Sequence, residues 1–585
     1  MMNEPRHTLS RRTLLRGAAL SLGALAGAGL LQACGPAAPS VAPTSAPAAG
    51  TTAPPAAAAA KPTSAPAAST SAPAAAAPAP TSAPAAGTSA PAAAPAAAKP
   101  GDTMVLAGES IGDNYDPSVT FQGWGHSWIN TATTETLIDS RTGKIAPWLA
   151  TEWSVSSDGL AWTFKLRPNV KFHDGTPFDA EAVVFNYMRQ IDDKHPFYLA
   201  EAITRGATLV GVQKVEASGP LEVKFTRTRP SGGMLAQLSI PWAGLLSPTA
   251  IQKLGADYAR QPVGTGPFTF EKGSKGTEAS VLANANYWGG KPTLGRVVIR
   301  AIPDLAAVTA ALTAGEVDFA TFVDFKDLDT FRRNPKLKVE VVEAANYGYV
   351  GVNTKAPKLQ DVRVRRALAY AINRKQIVDV VLSGQGGPPG SFVPAPIPGY
   401  AKNLEDYYPY DAAKAKALLG EAGVSGLSLG IWSPSNGYWP ALAELIQGDL
   451  GKVGVTATIE KIDPARFGGA VTEGKHELFV WDASQASADP AEFANSFFLS
   501  SNPRAAGRWG FNNKDFDDMV AKQDAEPDEA KRLPILEQMQ KLILDDVPQI
   551  MLYNGRFAGV TSTRVQGFKT LPFRHAVHLH DVSFA

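Results

Sequence analysis

A histidine stands beside an aspartate in the segment WTFKLRPNVKFHDG, at His173 and Asp174. A neighbouring imidazole and carboxylate could serve as a general base and the group that orients it. The surrounding residues favour a structural role, because residues 162–167 alternate between apolar and polar as in a strand with one buried face, and Asp174 with Gly175 forms a typical turn dipeptide. The pattern therefore indicates a hairpin corner at the pair and by itself leaves an acid–base role open.

Two other patterns could bind a metal ion or a nucleotide. The segment HAVHLH places His575, His578 and His580 close together, and two of them would share one face of a strand. The segment GTGP, with Gly264 and Gly266, lacks the third glycine of a dinucleotide-binding loop and is interrupted by a proline. We predict hydrogen-bonded structure for the histidines and a tight turn for the glycines, and hence no metal site and no cofactor.

The sequence lacks the motifs of the common hydrolases and nucleotidases. It contains no G-x-S-x-G elbow, no H-E-x-x-H pair and no G-x-x-x-x-G-K-[ST] loop. Its formal net charge of +1 over 585 residues gives no electrostatic reason to expect nucleic acid as a partner. We predict that the protein is not an enzyme, with a surface hydrolase as the rival hypothesis.

The first 33 residues have the pattern of an export signal. The sequence SRRTLLR at residues 10–16 precedes an Ala/Leu/Gly stretch. This stretch is too short and too rich in small residues for a membrane-spanning helix. The segment LQAC resembles the lipoprotein cleavage box, in which Cys34 becomes the lipidated first residue. Cys34 is the only cysteine of the chain, so no intrachain disulfide can form. We predict a twin-arginine lipoprotein signal peptide over 1–33 and lipidation of Cys34.

Residues 34–101 change abruptly in composition to Ala, Pro, Ser and Thr. The tetrapeptide TSAP recurs through this segment, which has almost nothing apolar and bulky to bury. Such composition is typical of an extended, disordered spacer. The predicted protein is therefore exported and held by lipid at the outer face of the cytoplasmic membrane, in the periplasm or at the cell surface, with the spacer as a tether.

The remaining residues, 102–585, show mixed α/β patterning. Strand patterns occur at 221–226, 296–301 and 338–342. Helix patterns occur at 180–191, 364–372, 412–422 and 441–453, and Asp179 and Asp411 stand where helix N-caps are expected. A body of about 480 residues exceeds what one hydrophobic core usually supports, so two or more lobes are expected.

Several long segments of this body resemble the family 5 extracellular solute-binding proteins, the peptide/nickel-type receptors of ABC importers. The first is LATEWSVSSDGLAWTFKLRPNVKFHDGTPFDAEAVVFNYMR at 149–189. PVGTGPFTF, NYWGGKPTLGRVVIRAIPD and ALTAGEVDFA follow, then YVGVNTKAPKLQDVRVRRALAYAINRKQIV, YDAAKAKALLGEAG and DDVPQIMLYN. The likeness covers essentially the whole body, in the order in which the family has these segments.

The resemblance implies a fold and a set of boundaries. The fold would be that of a cluster C periplasmic binding protein: two α/β lobes joined by a hinge, with one extra lobe. Lobe I would comprise 102–145, 262–350 and 551–585, the extra lobe 146–261, and lobe II 351–550. Crossings between the lobes would lie near 351–353 and 549–553, and hinge bending would close the lobes around one solute.

The resemblance also places four aromatic stretches near the cleft between the lobes, where a binding pocket needs apolar surface and a few polar anchors. Each aromatic residue could equally belong to a hydrophobic core. The loop character of SPSNG favours surface positions for the aromatics around it, and we expect Trp432, Trp481 and Asp489 to lie in loops. The predicted ligand-binding residues are Trp124, Tyr349, Trp432, Tyr438, Trp439, Trp481, Asp482 and Asp489.

The segment DASQASADP departs from the peptide receptors of this family. In those relatives an aspartate of this loop pairs with the α-amino group of the peptide, several residues before an acidic residue followed by proline. Here the position four before Pro490 is Ala486, and the loop is longer. Asp482 or Asp489 could substitute, and Asp489 could instead cap the helix after Pro490.

The resemblance implies a monomeric receptor that captures a peptide-like solute and delivers it to a membrane permease, with ATP hydrolysed by a separate cytoplasmic subunit. An oligosaccharide or a metal chelate is the alternative solute. The protein itself would carry out no turnover. The resemblance places the His173–Asp174 corner in the extra lobe, where the pair would fix a turn and take no part in catalysis.

Overall fold

The computed structural model describes residues 102–119, 124–202 and 208–585, and the side chain of Trp124 is not among the described parts. The predicted signal peptide, Cys34 and the tether lie outside the described residues. Among these residues, no helix combines the length and the apolar composition that crossing a membrane requires.

Strands occur along the whole of the described chain. They are β1 Thr103–Gly108, β2 Ile138–Asp139, β3 Ala146–Pro147, β4 Ala150–Val155, β5 Ala161–Leu166, β6 Val212–Gly219, β7 Glu222–Arg227, β8 Phe268–Ser274, β9 Glu278–Ala283, β10 Arg296–Ala301, β11 Phe319–Ala320, β12 Leu337–Val352, β13 Ser428–Pro434, β14 Thr456–Ile462, β15 Leu478–Ser484, β16 Gln549–Ser562, β17 Val565–Gln566 and β18 Ser583–Phe584. The three predicted strand patterns correspond to β7, β10 and part of β12.

The α-helices alternate with these strands. They are α1 Trp124–Thr133, α2 Ala180–Ile191, α3 Met234–Gln237, α4 Pro248–Leu254, α5 Leu305–Ala314, α6 Leu328–Arg333, α7 Val362–Ala371, α8 Arg374–Val381, α9 Ala412–Glu421, α10 Trp439–Lys452, α11 Pro464–Thr472, α12 Lys514–Ala525 and α13 Glu529–Asp546. The predicted N-caps are confirmed, since Asp179 accepts from the amide of Ala182 at 2.9 Å and Asp411 from that of Lys414 at 2.8 Å.

One ten-stranded mixed sheet runs through the body in the order β14-β13-β15-β12-β16-β11-β1-β10-β9-β8. Its two halves meet at β12 and β16, which pair antiparallel along most of their length. The register of this pair shifts between Glu343 and Tyr347, so the ladder is irregular at the middle of the sheet. The long strands β12 and β16 pass from one half of the sheet to the other.

A second, four-stranded antiparallel sheet, β4-β5-β7-β6, packs its buried face around Phe164 and Phe225 with helix α2. A buried ion pair ties this unit to the loop that follows β1, because Arg189 of α2 contacts Asp116 at 2.8 Å. These elements all lie between the proposed extra-lobe boundaries 146 and 261, apart from Asp116. The lobe boundaries themselves remain a prediction.

The half of the large sheet formed by β13, β15 and the end of β12 is buried on both faces. One face packs against helices α7 to α10 through a cluster that includes Val350, Ile431 and Val480. The other face packs a cluster rich in aromatic residues, including Phe479, against α11 to α13. Since side chains of a strand alternate between faces, neighbouring residues at the ends of these strands must point in opposite directions.

Candidate functional site

The predicted ligand residues are divided between the two faces of this half-sheet. Tyr349 is completely buried among aromatic rings, and Trp432 and Trp481 pack against the same aromatic-rich cluster. Tyr438 and Trp439 pack against the cluster on the other face. The expectation that Trp432 and Trp481 lie in loops is wrong, because they lie in strands β13 and β15. The structure therefore does not bring all the predicted aromatics together.

Asp482 projects from β15 on the face opposite to Trp481, at the carboxyl end of the strand. It too lies in a strand and not in a loop. Its Oδ2 accepts one hydrogen bond, 2.8 Å long, from the side-chain amide of Asn346, which also donates to the hydroxyl of Ser484 at 2.9 Å. Burial raises the pKa of Asp482 above its ordinary value, although the Asn346 bond acts in the opposite direction. In the described part of the chain this carboxylate has no ion-pair partner.

Two tyrosine hydroxyls lie beside this carboxylate. The hydroxyls of Tyr438 and Tyr553 are 3.0 Å apart. Burial, reinforced by the negative charge of Asp482, raises the pKa of both phenols. Gly348 leaves room for Tyr553, since a Cβ at this position would overlap the ring of that tyrosine. The pair thus offers neutral donors and acceptors next to the carboxylate.

A positive charge faces the same place from the C-terminal segment. The guanidinium carbon of Arg574 lies 4.7 Å from the centre of the Phe557 ring on β16. The backbone of Arg574 is fixed by Trp128, whose indole nitrogen donates to its carbonyl at 2.9 Å. Its charge opposes the rise in the pKa of Asp482, yet the two side chains form no direct ion pair. We call five residues the cleft cluster, after the cleft that the family resemblance implies: Asp482, Asn346, Tyr438, Tyr553 and Arg574.

Glu135, a second enclosed carboxylate, shows what a structural acid looks like in this protein. Its two oxygens accept hydrogen bonds from four side chains at 2.7–2.9 Å: Trp148, Thr265, Tyr287 and Trp288. Burial raises its pKa, and these donors lower it in part. Every acceptor position is occupied, so Glu135 has no capacity left for a solute. Asp482, with a single donor, differs from it in this respect.

Asp489, the other acidic candidate, is also satisfied internally. It pairs with Arg532 at 2.9 Å, with both side chains almost completely buried. The same carboxylate accepts from the backbone amide of Ala491 at 3.1 Å, as the capping alternative predicts. Asp489 does not belong to the cleft cluster.

The His173–Asp174 corner is structural. Asp174 accepts from the amide of Thr176 at 3.0 Å, and Gly175 adopts a left-handed conformation with φ 84°. A ring nitrogen of His173 bonds to the carbonyl of Gly266 at 2.9 Å, and burial lowers the histidine pKa to about 4. The imidazole of His173 is therefore neutral near pH 7 and stabilises the turn.

The C-terminal histidines lie in an irregular segment and not on a strand, contrary to the expected shared strand face. His575 is buried, which lowers its pKa to about 3. His580 bonds to Asp581 at 2.7 Å and to the carbonyl of Gly290 at 2.9 Å. Within residues 102–119, 124–202 and 208–585, no group of three or more potential ligand side chains is arranged for a metal ion.

Three members of the cleft cluster were not predicted from the sequence: Asn346, Tyr553 and Arg574. Asn346 is separated from Asp482 by 136 residues, and only their pairing on adjacent strands joins them. A polar residue beside the alternating tyrosines of β12 is the one local signal that could have pointed to Asn346.

Glu492 supports the loop that follows the cleft cluster. Its carboxylate accepts from the amides of Ala486 and Ser487 at 3.0 and 2.9 Å and from the Ser487 hydroxyl at 2.7 Å. Burial raises the pKa of Glu492 from its ordinary 4.5 to about 7, although these bonds act to lower it. The folded state therefore favours the protonated acid between these two pH values.

This raised pKa predicts a pH-dependent stability. Stabilisation from protonated Glu492 is fully present below pH 4.5 and is lost as the pH rises through about 7. The variant Glu492→Gln stays uncharged and should not show this loss. Urea unfolding at pH 5 and pH 7.5 should show that the parent loses more free energy of unfolding over this range than the variant. Equal losses would contradict the prediction.

Comparison with known proteins gives one consistent set of relatives. Residues 144–504 match the model of the bacterial extracellular solute-binding proteins, family 5 Middle. The chain is 30% identical over 486 residues to heme-binding protein A of Haemophilus influenzae, covering 78% of this chain and 88% of that protein. It is 28% identical over 510 residues to the dipeptide-binding protein of Escherichia coli, covering 82% of this chain and 94% of that protein.

The solved structures agree with the sequence relatives. One is the ABC transporter-associated periplasmic binding protein DppA from Helicobacter pylori in complex with peptide STSA. It superposes with a TM-score of 0.72 at 27% identity and covers 82% of this chain and 98% of its own. The α/β architecture predicted from the sequence is thereby confirmed.

Proposed function

Because the chain belongs to the bacterial extracellular solute-binding proteins of family 5, we propose that it is the receptor of an ABC importer and captures a peptide-like solute with a free amine. The cleft cluster carries this proposal. Among the described residues the Asp482 carboxylate has one side-chain hydrogen-bond donor and no ion-pair partner. Such a carboxylate, near the end of a sheet strand, is suited to a cationic group. The comparisons support a peptide, since relatives are named for dipeptides.

The solute would lie between the proposed lobes. Asp482 and Tyr438 come from segments assigned to lobe II, whereas Asn346 and Arg574 come from segments assigned to lobe I. A solute that contacts both would favour lobe closure. A neutral oligosaccharide would leave the charge of Asp482 uncompensated, and we therefore favour an amine-bearing solute over the sugar and chelate alternatives.

The test is native mass spectrometry of gently purified protein, followed by calorimetric titration with free-amine dipeptides and tetrapeptides. We expect a co-purified solute of peptide mass, stoichiometric binding and no change in the added peptide. Release of a shorter product would favour the rival hydrolase. The absence of both bound solute and peptide binding would contradict the proposed function.

The lipid anchor has its own test. We propose that Cys34 carries the anchor, which the tether separates from the folded body. Cys34→Ala should therefore leave the melting temperature unchanged and move the protein from the membrane fraction to the soluble fraction. Cys34→Ala protein that still sediments with membranes after a high-salt wash would contradict lipidation at this residue.

A further inference from the structure

Two glycines between β7 and α3 touch the ion pair that Asp489 forms with Arg532. A guanidinium nitrogen of Arg532 donates to the carbonyl of Gly232 at 2.8 Å. Gly233 lies so close to Asp489 that a Cβ on this glycine would overlap the carboxylate. These four residues, Gly232, Gly233, Asp489 and Arg532, are called the clasp below.

The clasp joins chain segments that lie far apart in the sequence. Gly232 and Arg532 are separated by 300 residues, on the segments assigned to the extra lobe and to lobe II. A neighbouring ion pair joins the same two segments, since Arg229 lies 3.9 Å from Asp524. Ala486, in the loop that Glu492 supports, packs into the hydrophobic cluster of the four-stranded sheet. The clasp thus lies within a continuous junction.

Burial makes the clasp sensitive to separation of these segments. The side chains of Arg532 and Asp489 are 6% and 4% exposed. The Nε and one terminal nitrogen of the Arg532 guanidinium also donate to the side-chain oxygen of Gln523, at 3.2 and 2.8 Å. If the extra lobe moved away, Arg532 would lose the Gly232 carbonyl and the ion pair would meet water, where such pairs contribute little.

We propose that the clasp holds the closed form of the receptor and that Arg532 and Asp489 are positioning residues for solute capture. They would act through the loop at 485–489 and through lobe closure, without touching the solute. This inference rests on the proposed two-lobe closure. The apparent affinity scales with the fraction of closed protein. Loosening the clasp therefore lowers the affinity for every solute by the same factor.

Gly233→Ala tests the clasp from the side of the extra lobe. Gly233 has φ −89° and ψ 6°, a conformation that alanine accepts, so the new Cβ acts mainly by colliding with Asp489 across the junction. Gly219→Ala is the matched control in the same proposed lobe, because its Cβ would meet only Glu222 at an ordinary 3.7 Å. Neither variant removes a charge or a hydrogen bond.

The measurement needs no solute. Spin labels would be placed on the full chain, in a Cys34→Ala background, at Gln213 and Lys522, which are both exposed. We expect the distance distribution between the labels to shift to longer values in Gly233→Ala and to match the parent in Gly219→Ala. Arg532→Lys keeps the charge but loses the planar fork, and should give a smaller shift.

Titration with a series of dipeptides then checks the consequence. Gly233→Ala should lower the affinity for each peptide by a common factor, about tenfold if the closed form becomes a minority state. The proposed role of the clasp would be refuted if the label distances in Gly233→Ala and in Arg532→Lys both equalled those of the Gly219→Ala control. Failure of all peptides to bind the parent would count against the proposed function alone, because the distances are measured without solute.

Discussion

Asp482→Asn should abolish most of the affinity for free-amine peptides. Removing one member of an enclosed charge pair usually costs about 2–5 kcal/mol, which corresponds to a loss of about 30-fold or more. The melting temperature should not fall, because burial already disfavours the charge of Asp482 and asparagine can keep a hydrogen bond to Asn346. Calorimetric titration of parent and variant, paired with thermal melts, measures both effects.

The N-acetylated forms of the same peptides are the matched control. Acetylation removes the cationic amine, so parent protein should bind these forms weakly and Asp482→Asn should bind the two forms alike. Ser484→Ala removes only the second acceptor of Asn346 and should cause a smaller loss. Because the pKa of Asp482 is raised, affinity of the parent should also decline as the pH falls and the carboxylate is protonated. Equal affinity of the parent for free and acetylated peptides would refute the role of Asp482.

Arg189→Met should produce the largest loss of stability. It leaves Asp116 buried without its cation, and breaking a buried ion pair costs about 3–5 kcal/mol of unfolding free energy. Burial alone would raise the pKa of Asp116, but Arg189, with the hydroxyls of Ser118 and Tyr258, holds it below its ordinary value. Urea unfolding at neutral pH measures the difference between parent and variant.

Lys165→Met is the control for this variant, since Lys165 and Glu152 form an ion pair of the same 2.8 Å length on the surface. We expect almost no change in its free energy of unfolding, because solvent screens exposed pairs. The pH dependence separates charge from packing. Ionised Asp116 stabilises the parent above the ordinary carboxyl pKa, and this stabilisation is lost as the pH falls. The difference in free energy of unfolding between the parent and Arg189→Met should therefore become smaller in acid. A difference that stays constant with pH would show that the loss comes from packing.

Local sequence patterns were sufficient for several of the helices and strands and for the family. Helix α2 begins after Asp179 as predicted, because an N-cap aspartate and the apolar spacing act over a few residues. The turn at Asp174 and Gly175 follows from equally local preferences. The long matching segments were enough to indicate the family, which the comparisons confirm.

The position of each candidate in the site depended on tertiary structure. Trp481 and Asp482 are adjacent in the sequence and were predicted together, but strand alternation sends them to opposite faces of β15. Asp482 and Asp489 have the same side chain and lie seven positions apart. Asp489 forms an internal ion pair with Arg532, whereas Asp482 accepts a hydrogen bond from the amide of Asn346 and has no ion-pair partner among the described residues. The residue types and local patterns were readable from the sequence alone. Only the folded chain decided which carboxylate was neutralised, because its partners come from segments that no short-range pattern connects.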